Sequence, residues 1–224
     1  MIPVRDNHPV RRSPVLTRAF ILACVLVFVY QVLLPTRLLE GFVVTWGLTP
    51  ARFRMAIVAP GRVDGARTVA SLFTSMFLHG HWLHLLGNVW ILWVFGPAVE
   101  DRLGHLRFAW FYVTTGVAAG LVHALLHLGS RTPMVGASGA IAGVMAAYLV
   151  FYPWRRVTFL VPVFFLPLFV PLPAAAFLVF WFAYQLLGAY TSGFGQTGGI
   201  AFWAHVGGFV TGIWLVRRWR TSTS

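Results

Sequence analysis

Six apolar runs, set apart by arginines, limit what this chain can fold into. They cover roughly 19–34, 81–99, 108–128, 138–151, 173–187 and 200–216. A helix that crosses a bilayer needs about 17–25 mostly apolar residues. Backbone in lipid must satisfy its own hydrogen bonds, so runs of this kind are expected as spanning helices. Composition excludes a soluble alternative. Charged residues are 10% of the chain and hydrophobic ones 58%, with a mean hydropathy of +0.78, whereas a soluble domain carries roughly 25% charged residues. The expected fold class is an all-α polytopic membrane protein, a bundle of six transmembrane helices.

The connections differ in kind. Residues 36–77 hold Arg37, Arg52, Arg54, Arg62 and Arg67 among aromatic and aliphatic side chains. That is too polar to span, and an amphipathic first loop lying in the interface is expected. Glu100-Asp101-Arg102 is expected to stop the second span, and Pro153-Trp154-Arg155-Arg156 the fourth. The stretch 159–189 is broken by Pro162, Pro167, Pro171 and Pro173. Its first half is expected as irregular interfacial chain, with the fifth helix from Pro173 to Leu187. No small-residue cleavage site follows the first run, so it is expected to remain as a span. The organisation expected is a basic N-terminal segment 1–18, a membrane domain 19–216 and a basic tail 217–224.

All 17 basic residues are arginine, against five acids, for a net charge of +12. Such a balance would suit nucleic acid, but the arginines flank the apolar runs instead of forming a patch, and no nucleic-acid partner is expected. One set of connections holds eleven arginines and the other six. By the positive-inside rule both termini are expected to be cytoplasmic. A chain rich in Arg, Ala and Gly and free of Lys suggests a bacterial genome, hence a multi-pass protein of the cell (inner) membrane. The single Cys24 permits no intrachain disulfide. With this topology spans two, four and six run parallel, entering from the same face.

Polar groups inside spans are expensive and mark candidate sites. His84 and Asn88 lie four apart on one face of span two. Ser138 opens span four, and His205 lies near the start of span six. His123 and His127 fall near the end of span three, while Gln31 and Gln185 lie in spans without an assigned partner. Gly139 and Gly143 in span four, and Gly208 and Gly212 in span six, form small-x-x-x-small faces that permit close backbone approach. If the two faces pack with Gly139 and Gly208 at similar depth, Ser138 and His205 differ by about 3 Å along the axis, at about 1.5 Å per residue. A serine hydroxyl needs a base to become a nucleophile, and histidine is the usual one. No acid lies in a span interior, so a dyad is available and a Ser-His-Asp triad is not. Asn88, His84 and the Ser138 N–H at a helix N-terminus are the candidate oxyanion donors.

These residues, in this order, resemble the rhomboid family of intramembrane serine proteases in its six-helix prokaryotic form. The resemblance rests on His84-Leu-Leu-Gly-Asn88, Gly96-Pro-Ala-Val-Glu100-Asp-Arg102-Leu-Gly104, Gly136-Ala-Ser138-Gly139 and Ala204-His205-x-x-Gly208, and covers roughly residues 19–216. It implies Ser138 as nucleophile, His205 as general base, His84 and Asn88 at the oxyanion site, no cofactor, and membrane-protein substrates cleaved in the bilayer. His79 matches a further histidine of the family. Two departures stand out: the first loop lacks a Trp-Arg pair, although Arg52 and Arg54 are close by. Ala142 also stands where some members have a tyrosine beneath the histidine.

Three rivals carry less weight. A catalytically inactive rhomboid-like chaperone or adaptor would typically lack the serine or the histidine, and both are present. A metal site at His79, His81 and His84 is disfavoured because residues two apart diverge on a helix, so no metal is expected. A transporter with a broken helix before span five would be expected to show inverted repeats, and none is visible.

Overall fold

The computed structural model describes residues 1–7, 9–163, 166–192 and 201–221. The six apolar runs are helices α1 (Val15–Leu33), α5 (Trp82–Leu103), α6 (His105–Leu126), α7 (Ser138–Phe151), α8 (Ala174–Ser192) and α9 (Phe202–Thr221). Four of them, α1, α5, α6 and α8, are long and apolar enough to cross a membrane. The two remaining helices complete the bundle. At 14 residues, α7 is about 21 Å long. It runs through the centre, with every residue from Gly139 to Tyr148 buried, as a helix apolar all round must be. The longer α9 packs along it and carries Arg217 and Arg218 in its last turns.

Several boundaries move, each for a visible reason. The first helix starts at Val15, four residues early, because an acid from elsewhere caps it. Glu100 accepts from the N–H groups of Leu16 (2.9 Å) and Thr17 (2.8 Å) and from Thr17 Oγ1 (2.6 Å). A carboxylate at a helix N-terminus satisfies orphan donors and meets the positive end of the dipole. Asp101 likewise accepts from the N–H groups of Arg11 and Arg12. The acids thus serve α1 and do not stop α5, which continues to Leu103. Gly104, at φ +78°, makes the break, and α6 begins at the next residue. The expected start of the last span, Ile200, lies outside the described residues, as do 222–224 of the basic tail.

The interfacial first loop consists of three short helices, α2 (Thr36–Trp46), α3 (Pro50–Val58) and α4 (Gly65–Thr74). None of the residues of α2 is buried. Arg52 donates to the carbonyls of Val44 (2.7 Å), Thr45 (3.0 Å) and Gly47 (3.3 Å), closing the C-terminus of α2.

The proline-rich stretch is ordered as sheet where irregular chain was expected. β2 (Arg156–Val163) and β3 (Leu166–Pro173) pair antiparallel, and β1 (Ile2–Asp6), inside the basic N-terminal segment, pairs with the other edge of β2. Pro167 stands opposite Pro162, where neither can donate, which marks a non-hydrogen-bonded pair. Positions 167, 169, 171 and 173 then turn their nitrogens away from β2. Three of those four are proline, so they lie on the free edge, where proline is tolerated. Val157 and Phe159 are buried, with Phe159 against Phe177 of α8 (ring centroids 4.9 Å).

Candidate active site

Helix packing at the centre depends on missing side chains. A Cβ on Gly208 would overlap the carbonyl oxygen of Gly139, and one on Gly212 would lie 2.7 Å from the carbonyl oxygen of Gly143. The glycines of α9 therefore rest on the bare backbone of α7. The glycines of α7 point elsewhere. A Cβ on Gly139 would strike Ala119, and one on Gly143 would lie 2.6 Å from Thr115, both on α6. The close approach expected of spans four and six at these glycines is present, while the Cβ directions of Gly139 and Gly143 face α6. Their own open side admits α6, while the exposed peptide edge they leave admits α9. One short helix is approached closely from two sides.

This packing brings the first residue of α7 to the first turns of α9. Ser138 Oγ lies 2.8 Å from His205 Nε2. On the other side of the ring, His205 Nδ1 lies 2.7 Å from Gln185 Oε1. An amide oxygen only accepts, so Nδ1 carries the proton. Nε2 then presents its lone pair and Ser138 Oγ–H donates to it. Gln185 comes from α8 and is 4% exposed. In the sequence it stands only as a polar residue within a span, with no partner assigned. Trp181, four residues earlier, lies 5.8 Å from the imidazole, supplying an aromatic neighbour for His205 where Ala142 offers none.

His84 and Asn88 approach from α5. Gly136 has φ +122°, and a Cβ there would lie 2.7 Å from His84 Nε2 and 3.7 Å from Asn88 Nδ2. Both side chains therefore lie against the backbone two residues before Ser138. Asn88 Nδ2 donates one hydrogen to His84 O (3.0 Å) and keeps a second. His84 Nδ1 accepts from Gly80 N–H (3.4 Å), which leaves the proton on Nε2, toward Gly136.

The loop before Ser138 is clamped to the interfacial helices. Leu48 and Met134 exchange backbone hydrogen bonds of 3.0 and 2.8 Å, Ala51 N–H donates to Ser130 O, and Gly136 N–H donates to Ser75 O. The other histidines have separate duties. His81 caps α5 by accepting from His84 N–H. His79 is buried, and Gln31 of α1 bonds both its N–H and its carbonyl. Burial, reinforced by His84, pushes the His79 imidazole down to about 4, so it is neutral. His123 and His127 stack on each other at 4.4 Å. Among the described residues no group of His, Cys, Asp or Glu converges as a set of metal ligands.

A hydroxyl bonded to an imidazole, beside a helix N-terminus and two side-chain donors, has the parts needed for acyl transfer. The same residues lie within a match to the rhomboid domain family over residues 66–220. The chain is 37% identical over 87 residues to Rhomboid-like protein 11, chloroplastic, of Arabidopsis thaliana, covering 38% of this chain and 31% of that protein. It is 29% identical over 153 residues to the human presenilin-associated rhomboid-like protein, mitochondrial, covering 65% and 36%. With Rhomboid protein 1, mitochondrial, of Saccharomyces cerevisiae it shares 28% over 156 residues, covering 67% and 42%. The chain spans between about a quarter and two fifths of the length of the curated relatives it matches. With the family match covering more than half of its residues, this helical membrane bundle belongs to the rhomboid family.

Proposed function

We propose that the chain is an active intramembrane serine endopeptidase that cuts transmembrane segments of other membrane proteins. The observation that carries this reading is the 2.8 Å separation of Ser138 Oγ and His205 Nε2. Ser138 Oγ attacks the scissile carbonyl while His205 Nε2 takes its proton, then returns that proton to the leaving amine. The oxyanion is held by the Ser138 N–H at the α7 N-terminus, Asn88 Nδ2–H and His84 Nε2–H. A narrow cleft beside Ser138, lined by Gly116, Ala119, Gly139, Ala201 and Ala204 with Met76 at its side, suits a substrate with a small side chain at the cut. On the same reading the arginine-rich end, with both termini, faces the cytoplasm, as in a bacterial inner membrane.

The test is labelling of the purified chain by a fluorophosphonate probe, run beside cleavage of a transmembrane model substrate. Wild type should label and cleave, whereas Ser138→Ala should do neither while melting at the same temperature. A wild-type protein inert in both assays would place this chain among the inactive members of the family. Labelling that persists in Ser138→Ala would exclude Ser138 as nucleophile.

A further inference from the structure

His205 can accept a proton from Ser138 only if Nε2 is bare. A neutral imidazole has two tautomers, and in the one with the proton on Nε2 the ring can only donate toward Ser138. Something must select the other tautomer, and in soluble serine proteases a buried aspartate does so. Here the five acids are Asp6, Glu40, Asp64, Glu100 and Asp101. No carboxylate occurs anywhere in α6 to α9, and one buried in the bundle would be costly.

The structure assigns that role to Gln185, on the reading that Ser138 and His205 form a working dyad. Gln185 Oε1 lies 2.7 Å from His205 Nδ1 and is an oxygen that cannot give up a proton. It therefore holds the proton on Nδ1, and the ring nitrogen facing the serine is set by the bond its partner makes. Gln185 is a positioning residue: it acts through His205 and does not touch the substrate. During attack the serine proton moves to Nε2 and later to the leaving nitrogen, while Nδ1–H stays on Oε1 throughout. A neutral amide fixes geometry as a carboxylate would, but adds no negative charge beside the imidazolium. Burying it is correspondingly cheap. Trp181 flanks the same ring from one turn earlier on α8, so α8 aligns the base as a unit. The other titratable groups whose charge reaches His205 are His84 on α5 and His123 on α6.

The experiment compares the full chain in detergent micelles as wild type, Gln185→Leu and Gln185→Glu. Histidine side-chain 15N spectra read the His205 tautomer, assigned by difference against His205→Ala. Wild type should show a protonated Nδ1 and a bare Nε2, and Gln185→Leu should show a mixture. In Gln185→Leu, kcat should fall about 10–10²-fold at unchanged KM, less than the ~10⁴ that follows disabling the charged partner in a soluble triad. Gln185→Glu keeps the acceptor and adds charge, so it should restore the tautomer and move the acidic limb of the kcat profile to higher pH.

A wild-type His205 with its proton on Nε2 overturns the assignment, as does a Gln185→Leu variant with wild-type kcat and tautomer. Should Gln185→Leu fail to melt cooperatively, the wild-type spectrum and the Gln185→Glu pH profile decide it. A wild type that neither cleaves nor labels would defeat the protease reading, yet the spectra would still show whether Gln185 sets the tautomer.

Discussion

At position 136 two separate physical demands fall on one residue. The backbone is at φ +122°, and the imidazole of His84 occupies the space a Cβ would need. Conformations of this kind cost about 1–3 kcal/mol for a residue with a side chain. Gly136→Ala should therefore shift the His84 ring or tilt the peptide leading into Ser138. As a misplacement of about 1 Å can lower a rate about 10²-fold, kcat should drop by that order, while probe labelling slows but does not vanish. Wild-type kinetics in purified Gly136→Ala would mean that His84 is not needed where it lies. The polar residues of this site were readable in the sequence because each interrupts an apolar run, where a polar group is expensive. Gln185 was equally visible as a residue but not as a partner. Twenty residues of sequence separate it from His205, and no periodicity fixes the depth of α8 against α9. The positive φ at Gly136 left no mark beyond the letter G.

Among the elements, α7 is the one whose neighbours sequence spacing foretold only in part. Two small-x-x-x-small faces were legible, and the meeting of α7 with α9 follows from them. Which face each glycine presents was not, because the spacing is the same whichever neighbour is met. The structure separates the two pairs, and so do their variants. Gly208→Val should force α9 off the Gly139 carbonyl, carrying His205 away from Ser138. Overpacking of this kind costs about 1–3 kcal/mol or more, so the melting temperature and turnover should fall together. Gly139→Val should instead press on Ala119 of α6, and the added change Ala119→Gly should restore part of the lost stability. That same change should do nothing for Gly208→Val. Rescue of both variants, or of neither, would contradict the two-sided packing of α7. The pairing of β2 and β3 was illegible for a different reason. Proline reads as a breaker along a chain, and only the pairing register shows that Pro167, Pro171 and Pro173 share the edge that bonds to nothing in the sheet.

Taken whole, the molecule separates its chemistry from its anchorage. Ser138, His205, His84 and Asn88 gather where α7 and α9 begin. At the opposite end, where α5 closes and α7 hands over to β2, the chain is tied by Glu100 and Asp101 to the start of α1 and by β1 to the sheet. Asp6 adds an ion pair to Arg155 at 3.3 Å, and Asn7 donates to Thr158 Oγ1 at 2.9 Å. If the two ends are coupled only weakly, through the bond that Trp90 of α5 donates to Pro3 O, loss of the anchor should cost stability with little effect on the site. Deleting residues 2–7 removes β1 and its ion pair and bares one edge of β2. A loss of about 2 kcal/mol should lower the melting midpoint by roughly 4–8 °C in a chain of this size. The bared edge, with Phe159 and Val161 on its strand, should also make the protein more prone to self-association. At a temperature well below the new midpoint, kcat and KM should stay within about two-fold of wild type, a difference under 0.5 kcal/mol. A deletion that cripples turnover while the fold still melts cooperatively would show that β1 reaches the site, through α5 or the β2-to-α8 connection that bears Gln185.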